Sequence, residues 1–499
     1  MYHPTREEFK ELAQKGNMIP VFCEVNADTE TAVSAFRKLA YHDGKTEKYA
    51  FLLESVEEGK QVGRYSFLGI QPEGIIVHKN NEGTFIKKDG QKEKLSGSDI
   101  FERVQSYLGR YKSVKVPGLA PFCGGAVGFN GFEVIEEIEP SVKTPEKDVL
   151  NVPDAVFMII SSLLAFDHVK NRIQVITHAQ VNEYTDLDWA YDHAIEKLQE
   201  MIDRLNKTIS HSVDILPTDV TPLPFSSNKT EEEFHSMVNK VKKYVYDGDI
   251  IQCVISQRFE AELEADPLTV HRALRMINPS PYMFCLHLDG MALVGASPEI
   301  HAQCQNGKMM VCPIAGTRKR GKDIHEDLAM EKELLADEKE RAEHIMLVDL
   351  ARNDLGRIAE EGTVKVPDLM RIERYSHVMH IVSDVTGTIR DEHQSNKVMS
   401  ATFPAGTLSG APKIRAMQII SELEQERRGP YGGTVVYFSF DGNIDSCITI
   451  RSALLKDGKA YVQSGAGIVA DSVPELEYKE TINKAKGMMT ALALAEKLS

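Results

Sequence analysis

Tyr282-Met283-Phe284-Cys285-Leu286-His287-Leu288-Asp289-Gly290-Met291-Ala292-Leu293-Val294-Gly295 sets the fold class of this 499-residue chain. Two apolar runs flank Asp-Gly, a dipeptide that tight hairpins favour because their central positions need left-handed backbone. The same punctuation recurs at Asn306-Gly307, Asp441-Gly442 and Asp457-Gly458, which predicts antiparallel sheet through the carboxyl half. Segments with helical spacing lie between the hairpins at 326–355, 396–399, 413–426 and 475–497. Strand groups and helix groups are segregated rather than alternating. The expectation is therefore an α+β fold, with antiparallel β-sheets forming a two-lobed sandwich and helices packed outside.

The first half carries weaker signals of the same kind: turns at Glu82-Gly83 and Asp89-Gly90 and a helical run over 189–205. Gly124-Gly125-Ala126-Val127-Gly128-Phe129 echoes Gly432-Gly433-Thr434-Val435-Val436-Tyr437, too briefly to establish a repeat. A single core stops growing near 250–300 residues, so this length implies two lobes. Pro217, Pro222, Pro224 and Ser226-Ser227 mark a linker. The expected division is 1–212 as amino-terminal lobe, 213–228 as linker and 229–499 as catalytic domain.

A net charge of -16 argues against nucleic acid as a partner, because phosphate-binding surfaces need excess Lys and Arg. The amino terminus has no apolar secretory core and no stretch approaches the length of a membrane helix, so a cytoplasmic protein without a membrane partner is expected. Seven scattered cysteines without a CxxC indicate neither a disulfide framework nor a thiolate zinc site.

Gly465-Ala466-Gly467-Ile468-Val469-Ala470 fits the dinucleotide pattern G-x-G-x-x-A, but Asp471-Ser472-Val473-Pro474 intervenes before the next helix, which excludes a Rossmann turn. Its glycines form a tight turn or bare amides for a carboxylate. Glu477, Glu480 and Lys484 share one helix face, and Glu340 and Glu343 share another. Alone, each set is an ordinary solvated face. Facing each other across a pocket, they would suit Mg2+ bridging to an anionic substrate. His380 interrupts an apolar strand-like run and Arg451 another. The first reads as a satisfied core histidine or a functional one; the second needs a partner, which a bound carboxylate would supply.

Together these segments resemble the chorismate-utilising enzymes, most closely the anthranilate synthase component I family, almost continuously from about Phe225 to the end. The stretches that carry the resemblance include Pro313-Ile314-Ala315-Gly316-Thr317-Arg318, the run from Glu340 to Asp354, Gly406 to Lys413, Tyr431-Gly432-Gly433, Gly465-Ala466-Gly467 and Glu477-Tyr478-Lys479-Glu480-Thr481. The resemblance implies a Mg2+-dependent amination of chorismate at C2 with loss of the 4-hydroxyl, then pyruvate elimination to anthranilate. It implies that Glu343 and Glu480 ligate Mg2+, supported by Glu340 and Glu477. Tyr431, Arg451 and the amides of Gly465 and Gly467 would hold the enolpyruvyl carboxylate. Gly316, Thr317, Thr407 and Lys484 would complete the lining.

By the same resemblance Glu299 is the general acid for the departing hydroxyl, a role that calls for a carboxyl kept protonated, and His380 aids the later loss of pyruvate. Gln252 stands where water-adding relatives carry a basic Lys. A neutral amide suits ammonia, which needs no base. Ala315 stands where aminodeoxychorismate synthases often carry a nucleophilic Lys. Leu52-Leu53-Glu54-Ser55 and Pro281-Tyr282-Met283 resemble the family's tryptophan feedback site; read alone they are a strand end and a turn. The chain contains no glutaminase motif, so the resemblance implies a separate glutamine amidotransferase subunit (component II) as ammonia donor, in a heterotetramer of two large and two small subunits.

Overall fold

The computed structural model describes residues 1–42, 45–55, 63–208, 217, 220, 221, 223–374, 378–390 and 395–498. Of the expected linker 213–228, residues 213–216, 218, 219 and 222 lie outside the described residues. Among those described, two large antiparallel sheets pack face to face. The first runs in the order Tyr2–His3, Met18–Asn26, Arg172–Gln180, Ser162–Asp167, Tyr65–Ile70, Tyr49–Glu54, Tyr282–Leu288, Met291–Ser297, Ser452–Lys456, Lys459–Ile468, Gln252–Glu262 and Ser226–Ser227. The second runs Ile314–Lys319, Val378–Thr388, Lys308–Val311, Ile300–Gln305, Ile444–Ile448, Thr434–Ser439, Gly125–Asn130, Ala155–Ile160, Gly74–Lys79, Glu82–Lys87 and Lys92–Lys94.

Both halves of the chain contribute to both sheets. In the first sheet they meet where Glu54 pairs with Met283, and in the second where Gly125 pairs with Ser439 and Asn130 with Thr434. The two segments that echo one another in sequence are thus neighbouring central strands. Their alternation shows the layering. Val127, Phe129, Val435 and Tyr437 point into the layer between the sheets with Phe51, Phe67 and Phe284, while Ala126, Val436 and Phe438 point outward. Helices cover both outer faces. Leu187–Leu205, Pro267–Ile277, Lys413–Glu424 and Pro474–Leu498 pack on the first sheet, and Ile100–Leu108 and Asn396–Thr402 on the second.

The helical segment expected over 326–355 is two helices, Ile324–Ala336 and Glu338–Gly356. Asp337 divides them because its side chain accepts hydrogen bonds from the amides of Lys339 and Glu340 and so starts a new helix. Gly465 and Gly467 lie inside the strand Lys459–Ile468, so the tight-turn alternative fails. All seven cysteines are free and buried. No helix among the described residues is long and apolar enough to cross a membrane.

One buried ion pair ties the helix Lys413–Glu424 to the sheets. Arg428, 2% exposed, donates to both carboxylate oxygens of Glu424 at 2.8 and 2.6 Å and to the carbonyls of Val254 and Leu408, each at 2.8 Å. Its guanidinium lies 4.5 Å from the Phe132 ring centroid, and Glu133 accepts its amide. Removing one member of such a pair leaves a buried charge uncompensated, which costs about 3–5 kcal/mol. Arg428→Met should therefore lower unfolding stability by about that amount in urea titrations, with part of the loss recovered in Arg428→Met/Glu424→Met. A change below about 1 kcal/mol, the scale of an exposed pair, would show that this pair does not hold the junction.

Candidate active site

A strand can pair within only one sheet at a time, so a chain that changes sheets must turn a corner. Met291–Ser297 belongs to the first sheet and Ile300–Gln305 to the second, with Glu299 at the corner between them. Ile444–Ile448 and Ser452–Lys456 make the reverse crossing, with Arg451 at that corner in left-handed conformation (φ 51°). The corners serve each other's backbone: the Ile448 amide donates to the Glu299 carbonyl at 3.1 Å and the Ala296 amide to the Arg451 carbonyl at 3.0 Å. Glu299 and Arg451 are both partly exposed at this pair of corners, which border a polar seam.

Glu299 accepts a hydrogen bond from Thr407 Oγ1 at 3.1 Å. Burial drives its carboxyl up to about 8, against the opposing pull of Thr407 and Lys484. Glu299 is therefore mostly protonated near neutral pH. Burial shifts the Arg451 guanidinium downward. Arg451 donates to the Lys484 carbonyl, and Lys484 Nζ donates to the Gly465 carbonyl at 3.1 Å.

The glycines of Lys459–Ile468 have two physical jobs. A Cβ on Gly467 would lie 2.4 Å from Gln252 Nε2, and one on Gly465 would lie 3.0 Å from the Tyr431 hydroxyl, so both make room for neighbouring side chains. Gly465 pairs with Ser256 and Gly467 with Val254. The amides of Val254 and Ser256 point the other way, to the Ser409 carbonyl at 2.9 Å and the Glu424 carboxylate at 2.8 Å. These are the non-bonded positions of the antiparallel ladder, which turns the Gly465 and Gly467 amides outward. On that side pairing with Ser452–Lys456 stops at Ala453 opposite Val462. The two amides thus form a donor rim beside Tyr431, Lys484 and Arg451.

His380 stands across the seam on Val378–Thr388. A bulge between Ala315 and Thr317, with Gly316 at φ 67°, turns the Gly316 carbonyl to His380 Nδ1 at 2.9 Å; Thr317 Oγ1 lies at 3.1 Å. A carbonyl partner requires a proton on Nδ1 and so puts the basic lone pair on Nε2. Burial first, and then Arg451, hold His380 below its ordinary value, so it is neutral at neutral pH.

The helices Glu338–Gly356 and Pro474–Leu498 bring the two acidic faces within electrostatic reach. Lys484 stabilises the carboxylate of Glu343, and Lys339 that of Glu477. Glu343 accepts from Gln252 Nε2 at 3.4 Å. Glu340 is held by Arg318 Nη1 at 3.1 Å and Glu480 by Lys484 at 2.7 Å. Glu343 and Glu477 are both pushed upward, by burial first and then by a neighbouring carboxylate, Glu340 and Glu480 respectively. Such a surplus of negative charge is what a divalent cation relieves. No compact group of three or more His, Cys, Asp or Glu exists among the described residues. A cation here would complete its shell from ligand and water oxygens, as Mg2+ commonly does, and the residues fit that demand.

A second cavity, of about 290 Å³, lies where Tyr49–Glu54 meets Tyr282–Leu288. It brings together Glu54, Ser55, Pro281, Tyr282 and Met283, quoted above from distant parts of the sequence. Burial alone would raise Glu54, but His271 at 2.7 Å and Arg275 at 3.4 Å keep it low. Ser55 Oγ is buried and has no hydrogen-bond partner among the described residues. Its lining also includes Gln303 and Asp445, which were not singled out in the sequence. Asp445 accepts from the Tyr282 hydroxyl at 2.9 Å and from Gln303 at 3.0 Å, and burial lifts it to about 6. The available signal was an acid inside the otherwise apolar strand Ile444–Ile448, the kind of signal that marked Arg451.

Residues 48–490 match the pattern of the chorismate binding enzyme family. The chain is 46% identical to anthranilate synthase component 1 of Acetivibrio thermocellus, over 99% of both chains. It is 42% identical to the same component of Aquifex aeolicus, over 98% of both. Among solved structures it resembles anthranilate synthase component I from Streptococcus pneumoniae, with a TM-score of 0.77 and 36% identity, covering 93% of this chain and 99% of that one.

Glu299 gives a stability test of the seam. Its ordinary value is 4.5 and its folded value about 8. Between these the unfolded chain holds fewer protons, so the Glu299 contribution to stability falls as pH rises through that window. Glu299→Gln removes the titration, and its unfolding midpoint relative to wild type should climb between about pH 4.5 and about pH 8. A constant offset across that range would overturn the assignment of a neutral buried acid.

Proposed function

Because the chain belongs to the chorismate-binding enzymes, in their anthranilate synthase component 1 family, we propose that its seam aminates chorismate at C2 and then expels pyruvate to leave anthranilate. The observation that carries this reading is Glu299, a carboxyl held protonated by burial at the sheet corner, beside a rim of outward amides and cations suited to a dicarboxylic substrate. Tyr431, Arg451 and the Gly465 and Gly467 amides hold the enolpyruvyl carboxylate. Glu299 delivers its proton to the departing 4-hydroxyl, which leaves as water while ammonia bonds to C2. Gln252 lines the approach as a neutral amide, sufficient because ammonia arrives already nucleophilic. Ala315 offers no amine for a competing covalent route. His380, neutral and fixed through Nδ1, presents Nε2 as the base for the elimination that releases pyruvate.

Glu343 and Glu480 would hold Mg2+, with Glu340 and Glu477 behind them; the ion would supply positive charge to fix the ring carboxylate. All seven thiols are buried, consistent with ammonia coming from a glutamine amidotransferase subunit, component II, in a cytoplasmic heterotetramer of two large and two small subunits.

The cavity at Glu54, Ser55, Pro281, Tyr282 and Met283 is proposed as the tryptophan feedback site, with an apolar slot and polar ends matched to an amino acid. Its strands lead into the seam. Tyr282 pairs with Ser297, whose Oγ lies 3.4 Å from the Glu299 amide, and Asp445 lies on the strand that leads to the Arg451 corner. Occupancy there would bias both corners, a coupling that is reciprocal in binding free energy.

The direct test is incubation of the purified chain with chorismate, Mg2+ and ammonium. Anthranilate and pyruvate should appear in equal amounts; an aromatic or amino product that retains the enolpyruvyl arm refutes the reading. Glu480→Gln should lower Mg2+-dependent turnover by on the order of 100-fold or more with an unchanged melting curve, whereas full activity would remove Glu480 from the metal set. Ser55→Arg should raise the tryptophan concentration for half-inhibition at least about tenfold, equivalent to about 1.4 kcal/mol, at unchanged chorismate turnover. Unaltered inhibition would place the feedback site elsewhere.

A further inference from the structure

Each sheet reads the same from both ends. In the first, Met18–Asn26, Arg172–Gln180, Ser162–Asp167, Tyr65–Ile70 and Tyr49–Glu54 are mirrored by Gln252–Glu262, Lys459–Ile468, Ser452–Lys456, Met291–Ser297 and Tyr282–Leu288. In the second, Gly125–Asn130, Ala155–Ile160, Gly74–Lys79 and Glu82–Lys87 are mirrored by Thr434–Ser439, Ile444–Ile448, Ile300–Gln305 and Lys308–Val311. The helices follow the same order. Arg6–Leu12 and Glu231–Tyr246 each open with a Thr-Glu capping box, at Thr5 with Glu8 and at Thr230 with Glu233. Packing details repeat as well. Gly69 lies opposite Phe51 and Gly295 opposite Phe284, each pressed so close that a Cβ would fall 2.6 or 2.3 Å from the ring. A Pro-Glu corner follows each glycine: Pro72-Glu73 in one half, Pro298-Glu299 in the other. The chain is two copies of one unit about a pseudo-twofold axis through the central strand pairs.

The polar seam must then have a counterpart in the first copy. Glu73 takes the corner of Glu299, and Ser161, between Ala155–Ile160 and Ser162–Asp167, takes the corner of Arg451. His178 stands six residues past Arg172 as Gly465 stands six past Lys459, each counted from the matching hairpin pair. Lys197 stands ten residues into Leu187–Leu205 as Lys484 stands ten into Pro474–Leu498. These equivalents converge on a cavity of about 530 Å³, lined by Glu73, Ser161, His178 and Lys197 together with Lys88 and Trp189.

The cavity has a built polar set. Ser161 Oγ donates to Glu73 at 2.5 Å; Lys88 and Lys197 lie 3.1 and 3.9 Å from the same carboxylate. His178 is 4% exposed, its Nδ1 lies 3.1 Å from the Ser161 carbonyl, and its Nε2 has no hydrogen-bond partner among the described residues. Burial lowers His178 to about 4, so it is neutral, and its unpaired Nε2 acceptor is sealed from solvent, so that a donor reaches it only by displacing a neighbouring side chain. Lys87, Lys88 and Lys197 outnumber Glu73 and Asp89 in the lining, a local positive excess in a chain of net charge -16. The rest is aromatic. Trp189, 62% exposed, stacks on His193 at the mouth, and buried Phe85 and Tyr107 pair at 4.3 Å within.

We propose that this cavity is a second binding site, for a small monocyclic carboxylic acid whose carboxylate meets Lys88 and Lys197 and whose amino or hydroxyl group donates to Nε2 of His178. It binds without transforming. His193 and Ala190 stand where the other copy has Glu480 and Glu477, and the segment that carries Glu340 and Glu343, between Lys308–Val311 and Val378–Thr388, is an addition to the second copy alone. The site does not depend on the chemistry assigned to the seam.

Trp189 is the only tryptophan of the chain, so its emission reports this cavity. Titration of the full-length protein with 2-aminobenzoate, corrected for probe absorption and repeated by calorimetry, should give one saturable component at Trp189. Lys197→Met and, independently, His178→Phe should each weaken it at least about tenfold with chorismate turnover unchanged. Arg451→Met in the seam should leave the Trp189 titration as in wild type while turnover falls. Benzoate, which lacks the donor, should bind wild type about tenfold more weakly than 2-aminobenzoate. Absence of saturable emission change and heat up to about 5 mM, a limit of about -3 kcal/mol, would overturn the proposal. So would a signal that follows Arg451→Met instead of Lys197→Met, and equal binding of the two probes would overturn the His178 contact.

Discussion

The constraint on which the rest of this structure depends is that strands must change sheets. A hydrogen-bonded ladder fixes a strand in one sheet, and leaving it strips backbone groups of their partners. At Glu299 and Arg451 the two crossing chains supply those partners to each other. The corners are therefore held in place, and Glu299 and Arg451 are each left partly exposed there. A carboxyl and a guanidinium fixed at such a place are sheltered from bulk water yet reachable from one side. Burial does the chemical tuning: it keeps Glu299 protonated and His380 neutral, both in the state an acid or a base needs near neutral pH.

Lys484 organises the charges around these corners. From one turn of Pro474–Leu498 it pairs with Glu480, donates to the Gly465 carbonyl and acts electrostatically on Glu299 and Glu343. A single ammonium thus touches both the acid corner and the acidic helix faces. Without bound ligand it partly offsets a cluster of carboxylates that would otherwise repel one another. The Glu480–Lys484 spacing looked like an ordinary surface pair in the sequence, and its geometry is that of one. Its significance comes only from what the second helix, Glu338–Gly356, sets opposite.

What was legible in the sequence follows from range. Asp289-Gly290 and its relatives announced antiparallel sheet because a tight turn is encoded in two residues. The break at Asp337 was missed because capping by one aspartate leaves the helical spacing on both sides intact. Gly465 and Gly467 were readable as exposed backbone, but their place in a strand rather than a turn depends on pairing with Ser256 and Val254, more than 200 residues away, which sequence spacing cannot express. Asp445 and Gln303 were missed for the same reason: their partner is Tyr282, more than 20 residues from Gln303 and more than 160 from Asp445. The roles of Glu299 and Gln252 came from resemblance alone, since nothing local to Ser297-Pro298-Glu299 signals a buried acid.

The pairing of Gly125–Asn130 with Thr434–Ser439 makes the weak echo between those segments intelligible. Two copies of a unit that meet about a twofold axis bring equivalent strands side by side, and equivalent strands face equivalent packing demands: small residues where sheets press, apolar ones where they interdigitate. The likeness accordingly lies at the axis, along Gly69 and Gly295 and in the Pro-Glu pair of each corner, while the facing corners differ, Arg451 in one and Ser161 in the other. One corner pair acquired an arginine and an added helix bearing Glu340 and Glu343. Its counterpart kept a glutamate tied to Ser161, with lysines in place of a surplus of acids. The two seams thus differ in charge on a shared scaffold: Glu340, Glu343, Glu477 and Glu480 flank one, whereas Lys87, Lys88 and Lys197 line the other.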